Sequence, residues 1–154
     1  MKKLLLFSII LISSIAAFSQ KRIPQVKTAE ERLNDEYCTG MFSTIDGTYF
    51  DMLNDNAAIS ANGYLNILDW LQGRVAGLQI YTTRNNTPVP YIRSSRAGIY
   101  VDEIWYEPGF LNSLPVSDIA MIKIIKGPFA GGFNSPGGVI AIYTIGTDDE
   151  ESGD

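Results

Sequence analysis

The sequence predicts an α+β domain in which a mixed β-sheet is covered by short helices and irregular loops. One segment has the residue spacing of an amphipathic helix, and several short runs of β-branched and aromatic residues lie between turn residues. Strands interleaved with one clear helix are typical of mixed α/β or α+β domains. We therefore expect three or four strands to share one sheet.

The clearest helix is predicted from about Tyr64 to Val75. Its apolar residues recur at spacings of three and four, which places them on one face of a helix. They are Leu65, Leu68, Leu71 and Val75. Gly77 follows at a position suited to a left-handed cap, so we expect the helix to end there.

A shorter helix and a hairpin are predicted nearer the N-terminus. Thr28 and Glu31 have the spacing of a capping box, which indicates a helix that runs to about Tyr37. The following segment is rich in Thr, Tyr, Phe and Ile and has an Asp46-Gly47 turn signal. We expect a strand near Gly40–Ile45 and a second strand from Thr48.

The remaining strands are predicted from short apolar runs. Ile119 to Ile125 is almost continuously apolar, as expected for a strand that is buried on both faces. Other runs that favour strands are Leu78 to Thr83, Val89 to Ser94, Gly98 to Asp102 and Val139 to Ile145. Trp105 to Asn112 contains Pro108-Gly109 and is predicted to be an irregular loop.

The composition argues against several classes of function. The chain has a net charge of −5, and five of its acidic residues lie in the last seven positions, where they form an acidic tail. The sequence offers no basic patch for nucleic acid, and an acidic chain would be repelled by phosphates. It has no histidine, which removes the commonest general base and metal ligand. Its one cysteine, Cys38, can form no internal disulfide and suits a small buried position.

No motif for catalysis or for cofactor binding stands out. The glycine-rich segment 127–138 lacks a lysine after its glycines, which a phosphate-binding loop requires, so it is read as a chain reversal. The Asp/Asn cluster at 46–56 fits turns better than a calcium site. Asp102, Glu103 and Asp118 suit strand ends rather than a paired-carboxylate site. We therefore expect no enzyme activity, no cofactor and no metal.

Six residues are candidates for contact with a partner protein. Arg74, Arg93 and Arg96 could clamp carboxylates, although solvent exposure or local ion pairs would explain them equally well. Trp105, Tyr106 and Phe110 could anchor an interface, although the default interpretation is a core cluster. All six are named as partner-contact candidates on this basis.

The order of five short motifs resembles the plug domain of TonB-dependent outer-membrane receptors. The first is the helix end Leu71-Gln-Gly-Arg-Val-Ala-Gly77, followed by the strand that begins at Leu78. The others are Ile92-Arg93, Tyr100-Val101-Asp102, Asp118-Ile119 leading to Lys126-Gly127-Pro128, and Gly137-Gly138-Val139-Ile140. Ser94 and Glu103 stand where the family has glycine, which predicts altered turns.

The resemblance implies a division of the chain into four segments. Residues 1–19 have a basic start, a short apolar run and an Ala17-Phe18-Ser19 cleavage pattern, as in a secretory signal peptide. Residues 20–60 are an N-terminal arm and variable region without a recognisable TonB box. Residues 61–146 are the plug-like domain, and residues 147–154 are an acidic tail that we expect to be disordered.

The resemblance also implies a function at the outer membrane. Because the sequence stops soon after the plug pattern and shows no transmembrane strand repeat, we expect a stand-alone plug. Such a protein would lie in the periplasm, would not itself span the membrane, and would close the lumen of a separate large β-barrel. The type 9 protein-export translocon is the first candidate for that barrel. A plug-derived periplasmic binding module and a receptor remnant stay open as alternatives.

Overall fold

The computed structural model describes residues 27–53, 56–127 and 135–146. The signal peptide, the acidic tail and most of the glycine-rich reversal that the sequence predicts lie outside these ranges. The helices are α1 (Ala29–Tyr37), α2 (Asn56–Ala61) and α3 (Ile67–Leu71). The strands are β1 (Thr48–Asp51), β2 (Leu78–Thr82), β3 (Pro88–Ile92), β4 (Ser95–Arg96), β5 (Gly98–Val101), β6 (Ile104–Tyr106), β7 (Ile119–Ile125) and β8 (Val139–Thr144).

A five-stranded mixed sheet forms the centre of the fold. Its strand order is β1-β7-β8-β5-β6, with β5 and β8 parallel and the other neighbours antiparallel. Every residue of β7 is buried, which confirms the strand predicted from the continuous apolar run. The predicted α+β class is also confirmed, and the sheet has one strand more than the upper number expected.

A smaller antiparallel sheet, β2-β3-β4, lies beside the central one. The two are joined where Gly137 donates to the carbonyl of Arg96 at 3.2 Å and Gly98 donates to the carbonyl of Gly138 at 2.9 Å. A Cβ atom at Gly137 would overlap the carbonyl oxygen of Ser95, so only glycine permits this approach.

Two tight turns contain the residues that replace glycine, Ser94 and Glu103. The sequence predicted that these replacements alter the turns, and the backbone angles do not bear this out. Arg93 and Ser94 connect β3 to β4, and Asp102 and Glu103 connect β5 to β6. All four have positive φ, between 47° and 67°, as two-residue hairpin turns of this type require. Ser94 and Glu103 therefore adopt the left-handed conformation that glycine favours.

The first face of the central sheet carries the larger apolar core. Even-numbered residues of β7 and β8 point to this face and pack under α3 and the smaller sheet. The core residues of this face include Ile67, Leu68, Trp70, Leu71, Val75, Ile92, Ile122, Ile124, Ile140 and Ile142.

The helix predicted from Tyr64 to Val75 is wrong in its bounds. It spans only Ile67–Leu71, because the Asn66 side chain accepts from the Leu68 amide at 2.9 Å and begins the helix there. Leu65 precedes this cap and is 96% exposed. Gly73, at a φ of 83°, turns the chain soon after the helix ends, and Gly77 has the predicted positive φ of 79°.

The second face of the central sheet is covered by the segment that precedes β1. Helix α1 has the predicted capping box, since Thr28 and Glu31 each accept from the other's backbone N–H. The strand predicted near Gly40–Ile45 is wrong, because this stretch forms turns instead. Its Phe42 packs into the apolar cluster of the second face, so tertiary burial rather than pairing determines the conformation. Beta strand β1 pairs with β7, not with a hairpin partner.

Candidate functional site

The candidate residues separate into two groups in space. Arg96, Trp105 and Tyr106 line one cleft, and Phe110 stacks beside it. Arg93 lies against Gly77, just before β2, and Arg74 lies in the chain between α3 and Gly77. The sequence identified these six residues as candidates for partner contact, but it did not indicate that they form two separate groups.

Trp105 and Tyr106 lie on an edge strand, which corrects the irregular loop predicted from Trp105 to Asn112. The two-residue turn at Asp102-Glu103 folds β6 back on β5, so that Trp105 pairs with Tyr100. Among the described residues, no strand covers the outer side of β6, and Ile104 and Trp105 are 60% and 53% exposed. An exposed apolar edge strand is a typical place for contact with another chain. Only the later part, Pro108–Asn112, is non-strand, and it forms a 3₁₀ helix.

Tyr106 and Phe110 form a stacked pair that joins the edge to the core. Their ring centroids lie 4.1 Å apart with an interplanar angle of 21°. Tyr106 is half-buried against the first-face core, whereas Phe110 is 36% exposed. Tyr106 therefore packs between the core and the Phe110 ring, whereas Phe110 and Trp105 are exposed to solvent.

Arg96 is engaged in a local ion pair at the rim of the cleft. Its guanidinium donates to the Glu107 carboxylate at 2.7 Å, and both side chains are about half exposed or more. Such surface pairs contribute little to stability. The cleft beside Arg96 has a volume of about 440 Å³. It is lined by residues 96–100 together with Trp105, Tyr106, Pro108, Ser135 and Pro136.

Arg74 closes the C-terminal end of α3. Its guanidinium donates to the carbonyl of Trp70 at 2.6 Å and lies over the Trp70 ring, 4.6 Å from the centroid. It is also 5.9 Å from the centroid of the Tyr64 ring. A cation at this position is favoured by the helix dipole and by the face of the aromatic ring.

Arg93 and Lys126 lie on the same side of the molecule as the chain that follows α3. The Arg93 amide donates to the carbonyl of Gly77 at 3.1 Å, and the Lys126 ammonium donates to the carbonyl of Ala76 at 2.9 Å. We call Arg74, Arg93 and Lys126 the basic cluster, because they contact Trp70, Gly77 and Ala76, respectively, along one short stretch of chain. Within the described ranges, none of the three has a carboxylate within 4 Å. The cluster can therefore accept carboxylates from outside.

Sequence reasoning missed a polar cluster on the second face of the sheet. Lys123 is fully buried, and its ammonium donates to Asn34 Oδ1 and to the carbonyl of Phe42, both at 2.6 Å. It lies 3.9 Å from Cys38 Sγ and 5.0 Å from the centroid of the Tyr49 ring. Burial lowers the pKa of Lys123, since desolvation disfavours its charge. A lysine inside an apolar strand was the only signal of this cluster in the sequence.

Tyr143 and Glu103 extend this cluster along the sheet. The Tyr143 hydroxyl donates to Cys38 Sγ at 2.8 Å and lies 3.3 Å from Glu103 Oε1. The Glu103 carboxylate accepts from the amides of Gly40 and Met41 at 3.0 and 2.6 Å. Burial raises the pKa of both Tyr143 and the Cys38 thiol. Cys38 is thus buried, as predicted, but it is also a hydrogen-bond acceptor.

The described residues show no other chemistry of note. Across 27–53, 56–127 and 135–146, no three acidic or cysteine side chains are grouped so as to hold a metal ion. Among the helices of these same ranges, none combines the length and the apolar character that crossing a bilayer requires.

A family model for the TonB-dependent receptor plug domain matches residues 54–139, which is more than half of the chain. The chain belongs to the plug domain family of TonB-dependent receptors. The matched range holds α2, α3, the smaller sheet and three strands of the central sheet, β5, β6 and β7. No curated protein matches the chain.

Two solved structures share the fold of this plug domain. The RagAB peptide importer in the 'open-open' state has a TM-score of 0.50 and 21% identity over 69% of this chain. A variant of the ferric enterobactin receptor PfeA from Pseudomonas aeruginosa has a TM-score of 0.51 and 16% identity over 78% of it. The plug domain spans only 13% and 19% of those two chains. In such receptors the plug lies within the outer-membrane barrel and faces the periplasm.

Proposed function

We propose that this plug domain closes the lumen of a large outer-membrane β-barrel from its periplasmic side, without itself spanning the membrane. The barrel would be a separate polypeptide, and the type 9 protein-export translocon is the first candidate. The observation that carries the proposal is the plug family match over residues 54–139, within one continuous fold. Large barrels of 22 strands have a lumen that must be blocked, and a domain of this size suits such a lumen.

The surface of the domain offers two kinds of contact with a barrel wall. The basic cluster of Arg74, Arg93 and Lys126 would meet carboxylates of the wall, for which arginine provides a paired hydrogen-bonding geometry. Trp105 and Phe110 would fill apolar recesses, as aromatic anchors do in protein interfaces. Arg96 would contribute through its exposed pair with Glu107, and Tyr106 by holding Phe110 in place.

The cleft of about 440 Å³ beside Trp105 favours a second candidate function. It has aromatic walls and an arginine at its rim, as a site for a small ligand or a peptide would. In this case the domain would be a periplasmic binding module derived from a plug, and it would close no pore.

Deletion of the gene separates the two functions. If the domain closes a barrel, its loss makes the outer membrane permeable to antibiotics too large for ordinary porins, and re-expression restores the barrier. If it is a binding module, permeability stays unchanged. The intact mass of the protein recovered from outer membranes tests the separate-chain part of the proposal, because a barrel in the same polypeptide would raise that mass severalfold.

A further inference from the structure

The second face of the central sheet is covered by one continuous piece of chain. We call residues 28–45 the N-terminal strap. Its apolar side chains contact a row of sheet residues that alternates with the row of the first face. The strap contributes Leu33, Tyr37, Cys38, Phe42 and Ile45, and the sheet contributes Tyr49, Tyr100, Met121, Ile125, Val139, Ala141 and Tyr143.

The strap has no backbone ladder with the sheet. Among the described residues, its backbone–backbone hydrogen bonds all stay inside the strap, such as Cys38 to Asn34 and Ile45 to Phe42. Strand pairing begins only at Thr48, where β1 joins β7. The strap can therefore leave the sheet without breaking any strand pair, which is the usual property of a locally unfolding unit.

Side chains of the sheet provide the polar contacts instead. Lys123 donates to Asn34 and Phe42, Tyr143 donates to Cys38, and the Glu103 carboxylate accepts from two strap amides. Tyr49 adds a bond to Asn34 at 3.2 Å. These contacts give the covered state a defined register, although they involve few residues.

The buried lysine lowers the cost of uncovering this face. Lys123 lies between Met121 and Ile125 in the middle of an otherwise apolar row. A buried ammonium loses its hydration, and an apolar residue of similar size would often stabilise such an interface better. When the strap leaves, the ammonium regains water. The exposed face then has a charged centre instead of a continuous apolar surface.

We propose that the N-terminal strap opens as a unit from the second face while the central sheet stays folded, with the Glu103 carboxylate holding it closed and the buried Lys123 ammonium making the opening less costly. This goes beyond closure of a barrel and does not depend on it. The open form would present a sheet face with a lysine at its centre.

Cys38 provides a direct test, because it is the only cysteine and belongs to the strap, with its thiol buried against the sheet. The purified protein is labelled with a small aromatic disulfide reagent at denaturant concentrations below the unfolding transition. The control is a Cys38→Ala, Ala61→Cys variant, whose thiol lies at a fully buried site in the first-face core. We expect Cys38 to react at least tenfold faster than the control thiol, with a weaker dependence on denaturant.

A pair of adjacent acids provides matched variants. Glu103→Gln places an amide group against one of the two strap amides, so we expect the labelling rate of Cys38 to rise roughly tenfold. The Ala61→Cys thiol should be unaffected by this change. Asp102→Asn is the control, because Asp102 accepts from Thr144 on β8 and not from the strap. It should leave the local opening rate of Cys38 unchanged.

The proposal is overturned if Cys38 and the control thiol react at the same rate with the same denaturant dependence, since both would then need global unfolding. It is also overturned if Glu103→Gln changes both thiols equally. Hydrogen exchange gives an independent readout that needs no variant. We expect amides of residues 28–45 to exchange well before those of β7 and β8, and equal protection would contradict the proposal.

Discussion

The ammonium of Lys123 lies 2.6 Å from the carbonyl oxygen of Phe42, a residue 81 positions earlier in the chain. This contact joins a central strand to the N-terminal strap across the second face of the sheet. It places a charged side chain inside the interface between the strap and the sheet, and its effect on stability can be measured.

Replacing Lys123 should have effects that depend on the size of the new side chain. Lys123→Ala leaves a cavity and removes the donor from the Phe42 carbonyl, so we expect a loss of about 3 kcal/mol in the free energy of unfolding. Lys123→Met keeps the volume and removes the buried charge, so its cost should be no more than about 1 kcal/mol. Urea denaturation measures both. Equal losses for the two variants would contradict the packing described.

Alkaline pH should destabilise the protein through Tyr143. Burial raises its pKa above the ordinary value of 10.0, so the folded state retains this proton after the unfolded state has lost it. The stabilisation is therefore complete below about pH 10 and declines as the pH rises above it. Lys123 has the opposite sign, because its lowered pKa makes stability rise with pH, but only up to about its ordinary value of 10.5.

The Tyr143→Phe variant isolates this effect between pH 10.5 and 11.5, because the remaining contribution of Lys123 is the same in the variant and the parent. Each group deprotonated only in the unfolded state costs about 1 kcal/mol over one pH unit. The variant should lose about 1 kcal/mol less stability than the parent across this interval. The free energy of unfolding is measured by urea denaturation at each pH. If it changes equally with pH in the variant and the parent, the pKa of Tyr143 is not raised by burial as described.

The two left-handed turns should respond differently to glycine. Ser94→Gly removes a side chain from a positive φ of 67°. This side chain makes no hydrogen bond within the part of the chain that the structure describes, so we expect a gain of roughly 0.5–1 kcal/mol. Glu103→Gly relieves a similar φ of 66° but removes the acceptor of Gly40 and Met41. We expect it to be destabilising. Thermal unfolding measures the stability of both variants. A stabilising Glu103→Gly would show that the hydrogen bonds of the carboxylate to Gly40 and Met41 contribute no stability.

Arg93 should matter for partner binding and not for folding. It is exposed and has no carboxylate within 4 Å among the described residues, so Arg93→Glu should change stability by less than about 0.5 kcal/mol. Recovery of the barrel partner with the tagged protein should fall at least tenfold, because the reversed charge would repel wall carboxylates. Arg84→Glu, at another exposed turn, is the matched control. Equal recovery with both variants would remove the basic cluster from the interface.

The sequence predicted those elements that local pattern determines. The continuous isoleucine run gave β7, and the Thr28–Glu31 spacing gave α1 with its capping box. The helix near Tyr64 was predicted too long, because the periodic leucines were weighed above the Asn66 cap and Gly73. The loop predicted from Trp105 to Asn112 rests on Pro108-Gly109, and this signal hides edge strand β6, which ends just before these two residues.

Long-range contacts explain what the sequence could not reveal of the candidate site. Lys123 meets Asn34 and Phe42 across 89 and 81 residues, and no local spacing indicates such a meeting. Arg96 and Glu107 become a pair only because β4 and the chain after β6 line the same cleft. The six candidate residues were chosen by type, and whether they contact a partner stays a prediction.

In-cell photo-cross-linking tests the proposed closure of a barrel most directly. A photoreactive residue is placed at Trp105, which is 53% exposed on the edge strand, and at Tyr81 as an exposed aromatic control on the smaller sheet. We predict that Trp105 yields a single adduct with a large outer-membrane β-barrel and that Tyr81 yields much less of it. Adducts with soluble periplasmic proteins alone, or none at either position, would contradict the proposal and favour the binding module.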